Sequence, residues 1–131
     1  MRKPDWHSAL SLYLKTQARR NFVIGSHDNF TFTAGCIGAM TGTDPARGLR
    51  GKYKTDGAAI KLFHDLGYAD HIEYLSHGRA TIPVSFAQTG DMGILGPQRV
   101  AGIFTAGRVL VMADQLQYVP VDQVTTAYRV T

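Results

Sequence analysis

One thiol and five imidazoles are the groups in this chain that could carry nucleophilic chemistry, and their positions decide what is open to them. The thiol is Cys36, inside an almost uncharged run from Phe30 to Met40. The imidazoles are His7, His27, His64, His71 and His77. A thiolate nucleophile works at a helix N-terminus beside an imidazole, where the helix dipole and the neighbouring positive charge lower its pKa. The residues that open the Phe30–Met40 run are Asp28 and Asn29. Either can accept a hydrogen bond from the first free backbone N–H groups of a helix. An amide nitrogen is no useful nucleophile, so Asn29 reads as a capping residue. Cys36 lies two turns further on, roughly 10 Å along a helix axis. Its apolar neighbours make it a small hydrophobe with a raised pKa. His27 stands next to the capping residues, so Cys36 with His27 is the one pair open to a thiol mechanism. The blander reading of His27 is a loop or capping histidine.

Other chemistries find less support. No His-Glu-x-x-His or Cys-x-x-Cys occurs, and no two histidines stand four apart, so neither a metal site nor a cofactor is expected. Gly90-Asp91 with Gly93 is not followed by the Gly-Lys-Ser/Thr of a phosphate loop. Asp91 therefore reads as a turn or strand-start residue, and Asp5, Asp44 and Asp56 as helix caps. Ser8, Ser26, Ser76 and Ser85 have no nucleophile-elbow context. Arg50-Gly51 could hold an anion; the safer reading pairs Arg50 with a carboxylate such as Asp44.

Stepping along the chain gives the elements that must position these groups. At 131 residues, with 44% apolar and 18% charged residues, one soluble domain spanning 1–131 is expected. No run of about 18 apolar residues is present, so no membrane insertion is expected. The polar start, Met1 to Trp6, lacks the apolar core of a secretory signal, which points to synthesis in a cytoplasm without export by the usual route. A single cysteine excludes an internal disulfide framework. The net charge is +4. It comes from Arg2, Lys3, Lys15, Arg19 and Arg20 near the start and Arg47, Arg50, Lys52 and Lys54 in the middle. These are not interleaved with aromatics on one face, which argues for a solvated surface over a nucleic-acid partner.

The helical part is expected over about 5–78. Trp6, Leu10, Tyr13 and Leu14 form one stripe of a helix capped by Asp5 and running to about Asn21. Phe30 to Met40 is apolar on every side, as in a helix buried all round. Asp44-Pro45 predicts another helix start. A further helix begins at Thr55 or Asp56, carries Ala59, Leu62, Phe63 and Leu66 on one face, and stops at Gly67. Tyr68 to Gly78 reads as an irregular or helical linker. From about 80 to 131 the pattern turns to short apolar runs. Thr81–Val84 and Met92–Leu95 are short apolar runs, and Val100–Thr105, Arg108–Met112 and Leu116–Val119 read as strands. A tight turn at Ala106-Gly107 joins two of them. Val121–Ala127 reads as one or two helical turns and Tyr128-Arg129-Val130 as a last strand. Helices first and an antiparallel sheet after is the α+β order.

The pieces Thr41-Gly42-Thr43-Asp44-Pro45-Ala46, Arg50-Gly51-Lys52-Tyr53, Gly90-Asp91, Gly102-Ile103 and Tyr128-Arg129-Val130 follow one another in a telling order. Over nearly the whole chain, that order resembles the NlpC-type branch of the papain-like cysteine peptidases. More closely, it resembles a small family of unknown function found in the tail gene clusters of tailed phages and prophages. The resemblance implies a papain-like (NlpC-type) α+β fold, with N-terminal helices packed on a small antiparallel β-sheet. It also implies a catalytic cysteine at the start of the buried helix, after an Asp, and a catalytic histidine just before the Gly-Ile strand. Those positions hold Asn29, after Asp28, and Val100. The expectation is thus a degenerate peptidase with both catalytic groups replaced. It would serve as a structural component of a phage tail tip, contacting other tail-tip and hub proteins. It would be made in the bacterial host cytoplasm and end in the virion, with peptidoglycan within reach. The alternative is an active peptidoglycan endopeptidase that aids genome entry. A third reading, a general adaptor or nucleic-acid module, rests on the basic charge alone.

Overall fold

The computed structural model describes residues 1–131, and its central element is helix α2, Asn29–Thr41. Asp28 caps it. The Asp28 carboxylate accepts from Thr31 N–H at 2.9 Å, while the Thr31 hydroxyl accepts from Asp28 N–H at 2.9 Å. This reciprocal box satisfies donors at a helix end that is otherwise buried. Phe30, Phe32, Ala34, Cys36, Ile37 and Met40 are all buried, on every side of the helix. Helix α1, Trp6–Gln17, lies against it so closely that a Cβ on Gly35 would stand 1.8 Å from the Tyr13 hydroxyl.

Helix α1 stops at Gln17, short of the expected Asn21. Arg20 turns back there, donating to Gln17 Oε1 at 3.0 Å and to Ser26 O at 3.2 Å. Asp5 precedes the helix but makes no side-chain cap bond. The helix expected at Asp44-Pro45 does not form either. Asp44 does accept from Ala46 N–H at 2.9 Å, yet the stretch stays a chain of turns. Gly48 and Gly51, at φ of 80° and 75°, take left-handed conformations that a helix cannot propagate through. Helix α3, Asp56–Asp65, is capped by the Thr55 hydroxyl. Helix α4, His71–Ser76, forms within the stretch expected as an irregular or helical linker and is capped by Asp70.

Six antiparallel strands follow: β1 Thr81–Ile82, β2 Met92–Leu95, β3 Val100–Thr105, β4 Arg108–Met112, β5 Leu116–Val119 and β6 Val124–Tyr128. They make one open sheet in the order β1-β6-β2-β3-β4-β5. The fold is mixed α+β, with several helices packed against one face of this sheet. No helix is long and apolar enough to cross a membrane. The reading of the last residues is corrected. Only Val121–Gln123 make a helical turn, and the final strand is Val124–Tyr128, with Arg129 and Val130 beyond it. Val124, Thr125 and Thr126 are β-branched, which suits a pleated surface. The strand is held on both sides, by β1 and β2.

Side chains alternate across the sheet as the two-residue period demands. On β3, Ala101 and Ile103 join the main core with α2, while Val100 and Phe104 join a smaller core on the opposite face. Gly102 lies under Val109 and Val111, where a Cβ would come within 2.4 Å of a Val109 methyl.

A polar clasp closes the chain on itself. Asp91 is 1% exposed and accepts from Arg2 Nη2 at 2.9 Å, Val130 N–H at 3.2 Å and Gln88 N–H at 3.0 Å. Arg2 also donates to Val130 O at 2.7 Å and Thr89 O at 3.1 Å. Removing this carboxylate strands a largely buried guanidinium and two backbone donors. Asp91→Ala is expected to lower unfolding stability by roughly 2–4 kcal/mol. Asp91→Asn, which keeps one acceptor, should lose less. Urea denaturation of the three proteins measures this, and equal midpoints would show the clasp to be energetically idle.

Candidate functional site

Asn29 is the first residue of α2, and its side chain reaches the sheet. Its Nδ2 donates to Ala101 O on β3 and to Met112 O on β4, both at 2.9 Å. Its Oδ1 accepts from Ala101 N–H at 2.8 Å. These three backbone partners fix which end of the amide is oxygen. The fourth contact then follows: His71 Nε2 lies 2.9 Å from Oδ1, and because that oxygen carries no hydrogen, the imidazole must donate. Every donor and acceptor of the amide is thereby used.

His71 is placed by the start of α4. The Asp70 carboxylate caps that helix by accepting from Glu73 N–H at 2.9 Å and pairs with Arg99 Nε at 2.6 Å. Arg99 sits in the β2–β3 loop with φ of 58°, so the ion pair ties the loop to the helix end. Burial pulls the His71 pKa down, opposed by Asp70 and Asp28, and the net fall favours the neutral ring. With its proton on Nε2, the ring carries a bare lone pair on Nδ1.

Asp28 supports the same corner from below. Besides Thr31, it accepts from Gly25 N–H at 2.8 Å and from the Tyr53 hydroxyl at 2.7 Å. Burial raises its pKa, but the bonds from Thr31, Gly25 and Tyr53 together outweigh this and leave it below the usual carboxylate value. Tyr53 is pushed well above the usual phenol range by burial and by that carboxylate. Beside this polar corner opens a cleft of about 330 Å³ walled by Phe22, Ile24, Phe30, Ile60 and Phe63.

The other sequence candidates fall elsewhere. Cys36 is 0% exposed, and burial raises its thiol pKa far above the usual range. His27 is 1% exposed, lies edge-on to Phe32 and hydrogen-bonds neither Cys36 nor Asn29; its Nε2 has no partner. Val100 does not face Asn29, because it points into the core on the far side of the sheet. The residue held against Asn29 is Ala101, one position later and hence on the opposite face. Arg50 grips Asp44 through Nε at 3.2 Å and Nη2 at 3.1 Å. Gly51 N–H donates to Gly25 O at 2.9 Å, and Gly90 N–H to Phe104 O at 2.9 Å. No three His, Cys, Asp or Glu side chains gather as a metal-ligand group.

A family model described as a domain of unknown function (DUF6950) matches residues 1–130. The chain belongs to the DUF6950 family. No curated protein matches it. In this DUF6950 chain the residue that sequence reasoning missed is His71, the imidazole that does meet Asn29. Its signal was Asp70-His71-Ile72-Glu73, a capping residue with an acid three positions on. That pattern puts His71 at a helix start, as Asp28 puts Asn29.

Proposed function

We propose that this DUF6950 chain is a non-catalytic, NlpC-like domain that works through protein–protein contacts, as a structural component of a phage tail tip. The observation that carries the non-catalytic part is the saturated amide of Asn29. At the helix end where a papain-like enzyme would hold its thiolate, this chain holds a side chain whose every polar atom ties the helix to β3, β4 and His71. Such a group stabilises the scaffold and has no lone pair to attack with. The order of motifs from Thr41 to Val130, which resembles that of the phage tail-cluster family, supports the tail-tip role and the papain-like description of the helix-on-sheet arrangement.

A thiol endopeptidase would have to use Cys36, and a nucleophile must be accessible and within hydrogen-bond reach of its base. Cys36 is fully buried within α2 and hydrogen-bonds neither His27 nor His71. The expected result is no cleavage of purified peptidoglycan by the natural chain, read by muropeptide chromatography. Cys36 should also resist iodoacetamide until the protein is denatured. Cleavage that disappears in Cys36→Ser would establish the enzyme reading instead. For the tail-tip role, antibodies against the chain should label one end of the tail in virions made from its own genome. Virions without the chain would refute that role.

A further inference from the structure

We propose that the cleft beside His71 is a docking pocket for a tryptophan of a partner protein, flanked in that partner by lysine or arginine. This deepens the protein-contact reading above and rests on it. Three observations point to that occupant.

The first is the polar end of the cleft. His71 gives its only ring proton to Asn29, so Nδ1 is a pure acceptor. Nδ1 has no protein partner. It is also absent from the sealed, unpartnered polar atoms, which are His27 Nε2, Thr33 Oγ1 and Thr105 Oγ1. His71 lines the cleft, so a ligand there can meet this accessible acceptor. The matching group is a donor, and the indole N–H is the one aromatic side-chain group that only donates.

The second is the shape and texture of the walls. Phe30 and Phe63 meet edge-to-face at 4.9 Å and are each 3% exposed, making a rigid floor. Phe22 and Ile60 stand at the rim, 40% and 53% exposed, large apolar groups with no cover of their own. A volume of about 330 Å³ is at the small end of ligand pockets. It suits one large aromatic side chain, the kind of anchor that dominates protein interfaces.

The third is charge. Asp28, Asp56 and Asp70 line the cleft and no lysine or arginine does, in a chain of net charge +4. Asp28 and Asp70 are fully engaged by Tyr53, Thr31 and Arg99. Asp56 is exposed and its carboxylate has no ion-pair partner, so it is left to receive a cation beside the anchor. A second copy of this chain does not supply the anchor. Its one tryptophan, Trp6, lies under the Arg2 guanidinium at 4.2 Å and follows Asp5, the wrong charge.

The test titrates the full chain, labelled with nitrogen-15, with three blocked peptides at low salt: Gly-Lys-Trp-Lys-Gly, Gly-Glu-Trp-Glu-Gly and Gly-Lys-Ala-Lys-Gly. The first should saturate shifts at residues 22–30, 56–63 and 71 and move the His71 Nδ1 resonance. The other two should bind at least tenfold more weakly. Asp56→Lys, a surface change, should reverse the preference between the two tryptophan peptides. Equal binding whatever the flanking charge, equal binding of the alanine peptide, shifts that map away from the cleft, or no saturation at millimolar peptide would each overturn the proposal. None of these outcomes depends on whether peptidoglycan is cleaved, so the pocket and the non-catalytic role fail separately.

Discussion

Asn29→Leu is expected to destabilise the chain by about 3–5 kcal/mol, among the largest single-residue losses available to it. Leucine is close to asparagine in size, so the loss comes from hydrogen bonds and not from a cavity. It leaves Ala101 N–H, Ala101 C=O, Met112 C=O and the His71 Nε2–H without their partner. Each stranded buried group costs about 1–3 kcal/mol, and some relief from water entering along the cleft keeps the total below the sum. Asn29→Asp tests the same bonds differently. It keeps the oxygen that serves Ala101 N–H and His71, but it sets a second oxygen against two carbonyls that need a donor. At neutral pH the aspartate variant should be destabilised at least as much as the leucine one. It should recover part of the loss in acid, where a protonated carboxyl can donate. Urea midpoints at two pH values decide this, and a leucine variant within 1 kcal/mol of the natural chain would dismiss the amide as a structural pin.

Asn29→Cys is expected to create a reactive thiol in one step. The sequence alone suggests that two substitutions are needed, because Val100 stands where the resembling enzymes carry histidine. The structure shows an imidazole already at the site: His71 Nε2 lies 2.9 Å from the Asn29 side chain, at the N-terminus of a buried helix. A thiol placed there has both things that lower its pKa, a helix N-terminus and a neighbouring imidazole able to take its proton. Iodoacetamide should modify this variant at neutral pH on the order of a hundredfold faster than a buried thiol such as Cys36. Cys36 is the internal control, since native protein should take up one equivalent and denatured protein two. The rate should fall on adding His71→Ala and be unaffected by Val100→Ala. A thiol indifferent to His71 would mean that the pair is not coupled. Measuring on the folded fraction matters, because the same substitution removes the Asn29 bonds.

The fold was legible wherever one local signal decided the structure. The all-round apolar run of α2, the start of α3 at Thr55-Asp56 and the Ala106-Gly107 turn are fixed by residues within a few positions of one another, although the cap there is Thr55 and not Asp56. Expectation departed from structure where distant partners or flanking glycines decide. Asp44-Pro45 has the chemistry of a helix start, but Gly48 and Gly51 interrupt it and Arg50 folds back onto Asp44. Val124–Tyr128 becomes a strand because β1 and β2 stand on either side of it, which no short window of sequence reveals. The same division holds at the site. Asp28 as a cap could be read from its neighbours, whereas Asn29 and His71 are 42 positions apart and meet only through the packing of α4 beside α2. Val100, where the resemblance places the histidine, stands one residue from Ala101, and in a strand one residue is the difference between the two cores.

The place of β6 between β1 and β2 also sets a timetable for the newborn chain. Synthesis delivers residues from the N-terminus at about 5–20 per second, so helix α2 emerges several seconds before β6. During that interval β1 and β2 lack the strand that joins them, and the Asn29 amide waits for carbonyls of β3 and β4 that do not yet exist. The most apolar helix of the chain is thus made well before β3 and β4, the strands that cover it. Until those strands are made, the apolar sides of α2 face solvent, the kind of transiently exposed surface that makes growing chains prone to aggregate.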